Sequence, residues 1–155
     1  MVKQSLEHYH INQFTRLPKG ESAADQIEIN QLIGSKLVGL DLIGPIGVNL
    51  EWTNNYPVLD LSLATTTSYQ TVCIKCQKEI EQKIDSSDQY EYSRNNDDLN
   101  YQIHSDDTIN LTQAIIDTTA LDLTEYPVCK TDCRGLCPEC GIDLNSNPNH
   151  THKTS

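Results

Sequence analysis

Cys129-Lys130-Thr131-Asp132-Cys133-Arg134-Gly135-Leu136-Cys137-Pro138-Glu139-Cys140-Gly141 holds four of the six cysteines of the chain. Its centre is the Cys-x-x-Cys pair Cys137 and Cys140, and the other two cysteines, Cys73 and Cys76, repeat that spacing. Two thiolates at this spacing can grip one metal ion from a single tight turn. Two such turns complete the tetrahedral sulfur shell that zinc prefers. Pro138 stiffens the turn inside its pair. Gly141 follows the second cysteine, where the chain often needs φ > 0 so that backbone N–H groups can point at the sulfurs. A metal lobe of the zinc-knuckle or zinc-ribbon kind is therefore expected to finish the fold.

Working outward, Cys129 and Cys133 precede this knuckle, and His150 and His152 follow it. The candidate metal ligands are Cys73, Cys76, Cys129, Cys133, Cys137, Cys140, His150 and His152. The expected cofactor is Zn2+. One ion, taking four of these donors, is the stoichiometry read here; two ions, taking all of them, is the alternative. Six cysteines could also form three disulfides, and a single Cys-x-x-Cys could be redox-active. Against the first, Cys-x-x-Cys pairs close strained rings and nothing marks the chain as secreted. Against the second, the two half-sites are better explained together.

A chain of 155 residues fits one domain with a small metal-bound lobe. Apolar residues make up 37%, with one Trp, one Phe and one Met. That supply is thin and suits a protein that leans on a metal. The net charge of −11 repels a phosphate backbone at long range. Lys75, Lys130 and Arg134 beside the cysteines, and Lys153 in the tail, are read as offsetting a negative metal–thiolate cluster. Met1 to Phe14 is polar and has no apolar core of the signal-peptide kind. No stretch approaches the ~20 apolar residues of a membrane span. The expected location is the cytoplasm, where cysteines bind metal more readily than they pair.

Periodicity divides the rest. Ile27 and Ile29 alternate with polar residues. Leu37 to Ile43 is an apolar run, read with the strands, that ends at the Gly44-Pro45 turn signal. Val48, Leu50 and Trp52, then Leu59, Leu61 and Leu63, mark strands with one face buried. Asn54 to Pro57 bends the chain between them. Thr65 to Val72 carries a strand into the first Cys-x-x-Cys, and Lys78 to Ile84 returns as its partner, so this knuckle tips a hairpin. Asp85 to Asp107 is rich in Asp, Asn and Ser and reads as a solvated acidic loop. Tyr90, Tyr92 and Tyr101 are candidates to pin parts of it as an edge strand. Its pairs Asp97-Asp98 and Asp106-Asp107 admit a cation site or an interaction loop as the sharper reading. From Asn110, a plausible N-cap, Leu111, Ala114, Ile115 and Thr118 form one face of a helix reaching about Leu121. The expected class is α+β. It is mainly antiparallel sheet, with one helix near residues 110–121 and a C-terminal metal lobe over 129–152 joined by the 73–76 knuckle. An N-terminal segment, 1–26, precedes the main domain, 27–152.

Cys129, Asp132-Cys133, Arg134, Gly135-Leu136-Cys137-Pro138, Cys140-Gly141 and Leu144-Asn145 closely resemble the end of YceD-family proteins, the large ribosomal RNA subunit accumulation proteins. The order of an early Cys pair, strand, acidic segment and helix is similar too, and the resemblance covers about residues 27–152. Where family members often end in Cys-x-Cys, this chain has His150-Thr151-His152. Imidazole replaces thiolate on zinc, so a ligand role is kept. The resemblance implies a role in 23S ribosomal RNA accumulation or processing and large-subunit assembly. The expected mode is a zinc-stabilised, non-catalytic binding module. Its expected partners are a basic ribosomal protein, a pre-ribosomal particle or the RNA-processing machinery, with weak or no binding to naked nucleic acid. The alternatives are a zinc-dependent hydrolase or nuclease, and a direct RNA-binding zinc-ribbon protein. No His-Glu-x-x-His, nucleophile elbow or phosphate-cradling Gly loop appears in the sequence.

Overall fold

Strict apolar–polar alternation builds a sheet with one buried face, and the computed structural model, which describes residues 5–153, has its sheet where that alternation lies. The first four residues of the expected N-terminal segment fall outside the described residues. In chain order the elements are β1 (Tyr9–His10), α1 (Asn12–Thr15), β2 (Ser22–Ile29), α2 (Gln31–Val38), β3 (Ile46–Asn55), β4 (Val58–Val72), β5 (Glu79–Ser93), β6 (Thr108–Ile109) and α3 (Thr112–Ala120). Single 3-10 turns lie at Leu6–His8 and Leu99–Tyr101. Strands β2-β3-β4-β5 form one antiparallel sheet in sequence order, and β1 pairs with β6 separately. This is the α+β, mainly antiparallel class expected. Among the described residues no helix is long and apolar enough to cross a membrane.

The inner face of the sheet is the core. Ile46, Val48, Leu50 and Trp52 of β3 and Leu59, Leu61 and Leu63 of β4 are all buried. Helix α3 covers β4 and β5. Its predicted face of Leu111, Ala114, Ile115 and Thr118 is fully buried. The N-cap is Leu111, one residue after the predicted Asn110, yet Asn110 Oδ1 still accepts the Thr112 N–H at 2.9 Å. The N-terminal residues belong to this core rather than preceding it. Tyr9, Ile11 and Phe14 are buried, and Tyr9 and Phe14 stack on Trp52 with ring centroids 6.0 and 5.4 Å away. Since β2 already starts at Ser22, the boundary expected at residue 27 marks no break.

Two other expectations need correction. The run Leu37 to Ile43 is not a strand: Leu37 and Val38 end α2. Asn30 caps that helix by accepting the Ile33 N–H, and Gly39 closes it at φ 70°. A helix start and stop signal outweighs a short apolar run. The acidic segment 85–107 is a loop only from residue 94. Residues 85–93 continue β5, paired with β4 from Val72↔Glu79 to Val58↔Ser93. Its polar inward residues find partners on α3: Ser86 Oγ donates to the Thr118 carbonyl at 2.7 Å, and the Tyr90 hydroxyl donates to the Ala114 carbonyl at 3.2 Å. In the loop proper the acidic pairs serve local geometry. Asp98 accepts the Asn100 N–H, Asp106 accepts the Thr108 hydroxyl, and Asp107 pairs with Arg94.

Candidate metal centre

The hairpin of β4 and β5 is closed by Cys73 to Gln77. Its backbone repeats, bond for bond, at Cys137 to Gly141. The N–H of the first cysteine donates to the carbonyl five residues on: Cys73 to Lys78 and Cys137 to Ile142, both at 2.8 Å. The residue after the second cysteine donates back to the first: Gln77 to Cys73 and Gly141 to Cys137, again at 2.8 Å. Both of those residues have positive φ, 60° at Gln77 and 76° at Gly141. The two Cys-x-x-Cys segments are therefore one device used twice. Each turns the chain so that its N–H groups face its own sulfurs.

The eight predicted ligands converge in two separate sets of four: Cys73, Cys76, Cys129 and Cys133, and Cys137, Cys140, His150 and His152. In each set the donor atoms lie within 4.8 Å of one another, and either set could hold a metal ion. In the all-sulfur set Cys73 Sγ lies 3.7 Å from Cys133 Sγ, and Cys76 Sγ 3.7 Å from Cys129 Sγ. In the mixed set Cys137 Sγ lies 3.1 Å from His152 Nε2, and Cys140 Sγ 3.3 Å from His150 Nε2. Contrary to what their matching spacing suggested, the two Cys-x-x-Cys pairs do not share a shell, although Cys73 and Cys76 do meet part of the C-terminal cluster. Each knuckle takes its other half from elsewhere: Cys129-x3-Cys133 for the first and His150-x-His152 for the second. The Ile74 N–H donates to the Pro127 carbonyl at 2.9 Å, which brings the segment after α3 alongside the first knuckle.

Three further residues position the donors. Gly135 adopts φ +74°, and a Cβ there would stand 3.0 Å from the Lys75 carbonyl oxygen. This close approach lets the Leu136 N–H donate to the same carbonyl, which seats the second lobe on the first knuckle. Asn145, in the second lobe, reaches the first set. Its amide donates to Cys133 Sγ at 3.4 Å, while its Oδ1 accepts the Arg134 N–H at 2.9 Å. Glu139, which looks like a spacer inside the knuckle, places Oε2 3.3 Å from His152 Nδ1. A carboxylate there fixes the ring with Nε2 turned to the donor set. Arg134 is occupied with the tail, donating to the Pro148 carbonyl at 3.1 Å.

The electrostatics are those of a site short of positive charge. Burial raises the Cys73 thiol, but N–H groups of Cys76, Cys129 and Lys75 outweigh it and hold the thiol at about 6. Burial together with the neighbouring sulfurs pushes Cys129 up to about 12. The Asn145 amide is the main influence lowering Cys133. In the second set, N–H groups of Cys140 and Glu139, with the His152 ring, hold Cys137 at about 6. Thiols gathered this closely cannot all ionise together unless a cation joins them. Asn145 lay within the recognised Leu144-Asn145 element, though its role did not show. Gln77 and Glu139 carried no signal, because their parts depend on backbone and ring positions.

A family model described as the large ribosomal RNA subunit accumulation protein YceD matches residues 61–155. That stretch contains both donor sets. An uncharacterised protein of Mycobacterium tuberculosis is 54% identical over 48 residues, covering 31% of this chain and 23% of its own length. An uncharacterised protein of Mycobacterium leprae is 31% identical over 131 residues, covering 77% of this chain and 58% of its own. The chain thus spans less than two thirds of the length of the curated relatives it matches. No solved structure matches it.

Proposed function

The chain belongs to the YceD family, and on that premise we propose that it is a cytoplasmic, non-catalytic binding module that supports 23S ribosomal RNA accumulation and large-subunit assembly, held together by zinc. The observation that carries the zinc reading is the pair of complete four-donor sets. Sulfurs at the corners of a zinc tetrahedron stand about 3.8 Å apart for Zn–S bonds of about 2.3 Å. The sulfur pairs of the first set stand 3.7 Å apart. Imidazole and thiolate donors suit the same ion in the second set. When bound, zinc supplies a cross-link between chain segments and neutralises the thiolates. A site with four protein donors has no open position for water, which favours a structural role over hydrolysis.

Charge supports a basic partner. The register places Glu28, Glu51, Asp60, Glu79, Glu81, Asp85 and Glu91 on the outer face of the sheet, with Lys83 as a cation among them. Such a face attracts a Lys- and Arg-rich ribosomal protein or the protein side of a pre-ribosomal particle, and it repels naked RNA. A deletion strain profiled on a sucrose gradient tests the proposal. Loss of mature 23S RNA and free large subunits is expected. Normal subunit ratios overturn the ribosomal role. RNA cleavage by the pure protein that vanishes with Cys137→Ser overturns the non-catalytic one.

A further inference from the structure

We propose that the two donor sets are unequal: the Cys73/Cys76/Cys129/Cys133 set is a permanent staple, and the Cys137/Cys140/His150/His152 set is an exchangeable zinc site that clasps the C-terminal tail. This rests on the zinc reading above and goes beyond it by giving the two sites different roles.

Access separates them first. Cys73, Cys76 and Cys133 are 0%, 8% and 6% exposed and pack with Ile80, Val128 and Leu136. In the second set Cys140 and His152 are exposed and His150 is half-buried. An incoming chelator must touch a ligand to displace it: the second site offers Cys140 and His152 with only Cys137 buried, whereas the first offers only the half-buried Cys129, so full exchange there calls for local unfolding. What each set ties together differs too. The first joins the tip of the β4–β5 hairpin to the segment after α3, both rooted in the core. The second joins a knuckle to residues 150–152, and residues 146–149 leading to them are all exposed.

Dependence runs one way. The second lobe stands on the first knuckle through Gly135 and Leu136. The contact returned to the first set, Asn145 to Cys133, does not need the histidines. Asn145 is anchored by Asp143, whose Oδ1 accepts both its N–H and its amide at 2.9 Å, and by Arg134. Beyond Asn145 the tail is held by hydrogen bonds of Ser146 and Asn147 to Asp143, of His150 to Asn147, and of Arg134 to Pro148. Emptying the second site leaves the tail on these few exposed hydrogen bonds alone, so it loosens, while the first site and the sheet persist. The surface of this lobe follows the supply of free zinc.

The experiment is native mass spectrometry of the reduced, zinc-loaded full chain during challenge with EDTA, with hydrogen exchange and Trp52 emission followed in parallel. Two bound ions are expected, one leaving at least about tenfold faster because its ligands are exposed. Its loss should raise exchange in residues 146–153, leave β3 and β4 protected, and leave Trp52 emission unchanged. His152→Ala and Cys140→Ser should each retain one ion. Two ions leaving together from the unmodified chain, or a His152→Ala chain holding none, overturns the inference while leaving the zinc reading in place. A reduced chain that binds no zinc removes the zinc reading, and this inference with it.

Discussion

Gln77 and Gly141 occupy the same place in two superposable turns, and only one of them is glycine. A side chain at positive φ costs roughly 1–2 kcal/mol, partly offset by the greater freedom that glycine loses on folding. Gln77→Gly should therefore stabilise the zinc-loaded protein by about 1 kcal/mol, read as a higher denaturant midpoint. Gly135→Ala should act in the opposite direction and more strongly. It combines the same backbone penalty with a Cβ set 3.0 Å from the Lys75 carbonyl oxygen. A loss of at least about 2 kcal/mol is expected, together with weaker zinc retention at the second site, because this residue seats the second lobe on the first knuckle. A Gly135→Ala protein with unchanged stability would contradict that account. The glycine at 135 was legible as part of a motif. Its reason was not, since the carbonyl it faces lies sixty residues earlier in the chain.

Helix α3 shows how far an element can be read from its own residues. The spacing of Leu111, Ala114, Ile115 and Thr118 alone named its buried face. Ile115→Ala should cost about 3 kcal/mol as a core truncation, measured by urea unfolding with Trp52 as the probe. Strand β5 shows the opposite. Ser86 and Asp88 lie in a segment too polar to suggest burial, so residues 85–93 read as loop except where Tyr90 and Tyr92 suggest an edge strand, and β5 is that edge. The structure makes them strand because α3 offers Thr118 and Ala114 carbonyls to Ser86 and Tyr90. Tyr90→Phe should remove the hydroxyl's bonds to Ala114 and Thr118 at a cost of about 1 kcal/mol, visible as faster hydrogen exchange in α3. Helix α2 fell between these cases. Asn30 caps its start and Gly39 ends it inside the apolar run Leu37 to Ile43, whose composition by itself reads as strand.

At the scale of the whole molecule, one face of the sheet is core and the other carries most of its charge as carboxylates. Replacing Glu79, Glu81 and Glu91 by Lys should leave stability within about 0.5 kcal/mol per site, since all three are exposed. If the outer face meets a basic partner, the same triple variant should fall out of co-sedimentation with large-subunit precursors, and raising the salt should do likewise to the unmodified chain. Undiminished co-sedimentation of the variant would place the partner on another surface. The metal lobe stands at one end of this sheet, at the tip of its longest hairpin. With the first set holding the proposed zinc, its chelation is expected to be felt at the β4–β5 turn before it reaches the aromatic core around Trp52.

The class of fold, the buried faces of β3, β4 and α3, and all the side chains of both donor sets are legible residue by residue. Each of these follows from local chemistry: alternation along a strand, spacing along a helix, and donor atoms that favour one kind of ion. Which donors stand together is set by the folded chain. Two identical knuckles invite pairing with each other, and nothing in their spacing forbids it. Cys73 and Cys76 meet Cys129 and Cys133 because β4, β5 and α3 deliver those two segments to the same end of the sheet. Cys137 and Cys140 meet the histidines because Gly135 and Asn145 have already fixed the second lobe against the first. Which ligands share a shell depends on distances through space, and those distances exist only once the sheet and its covering helix have formed.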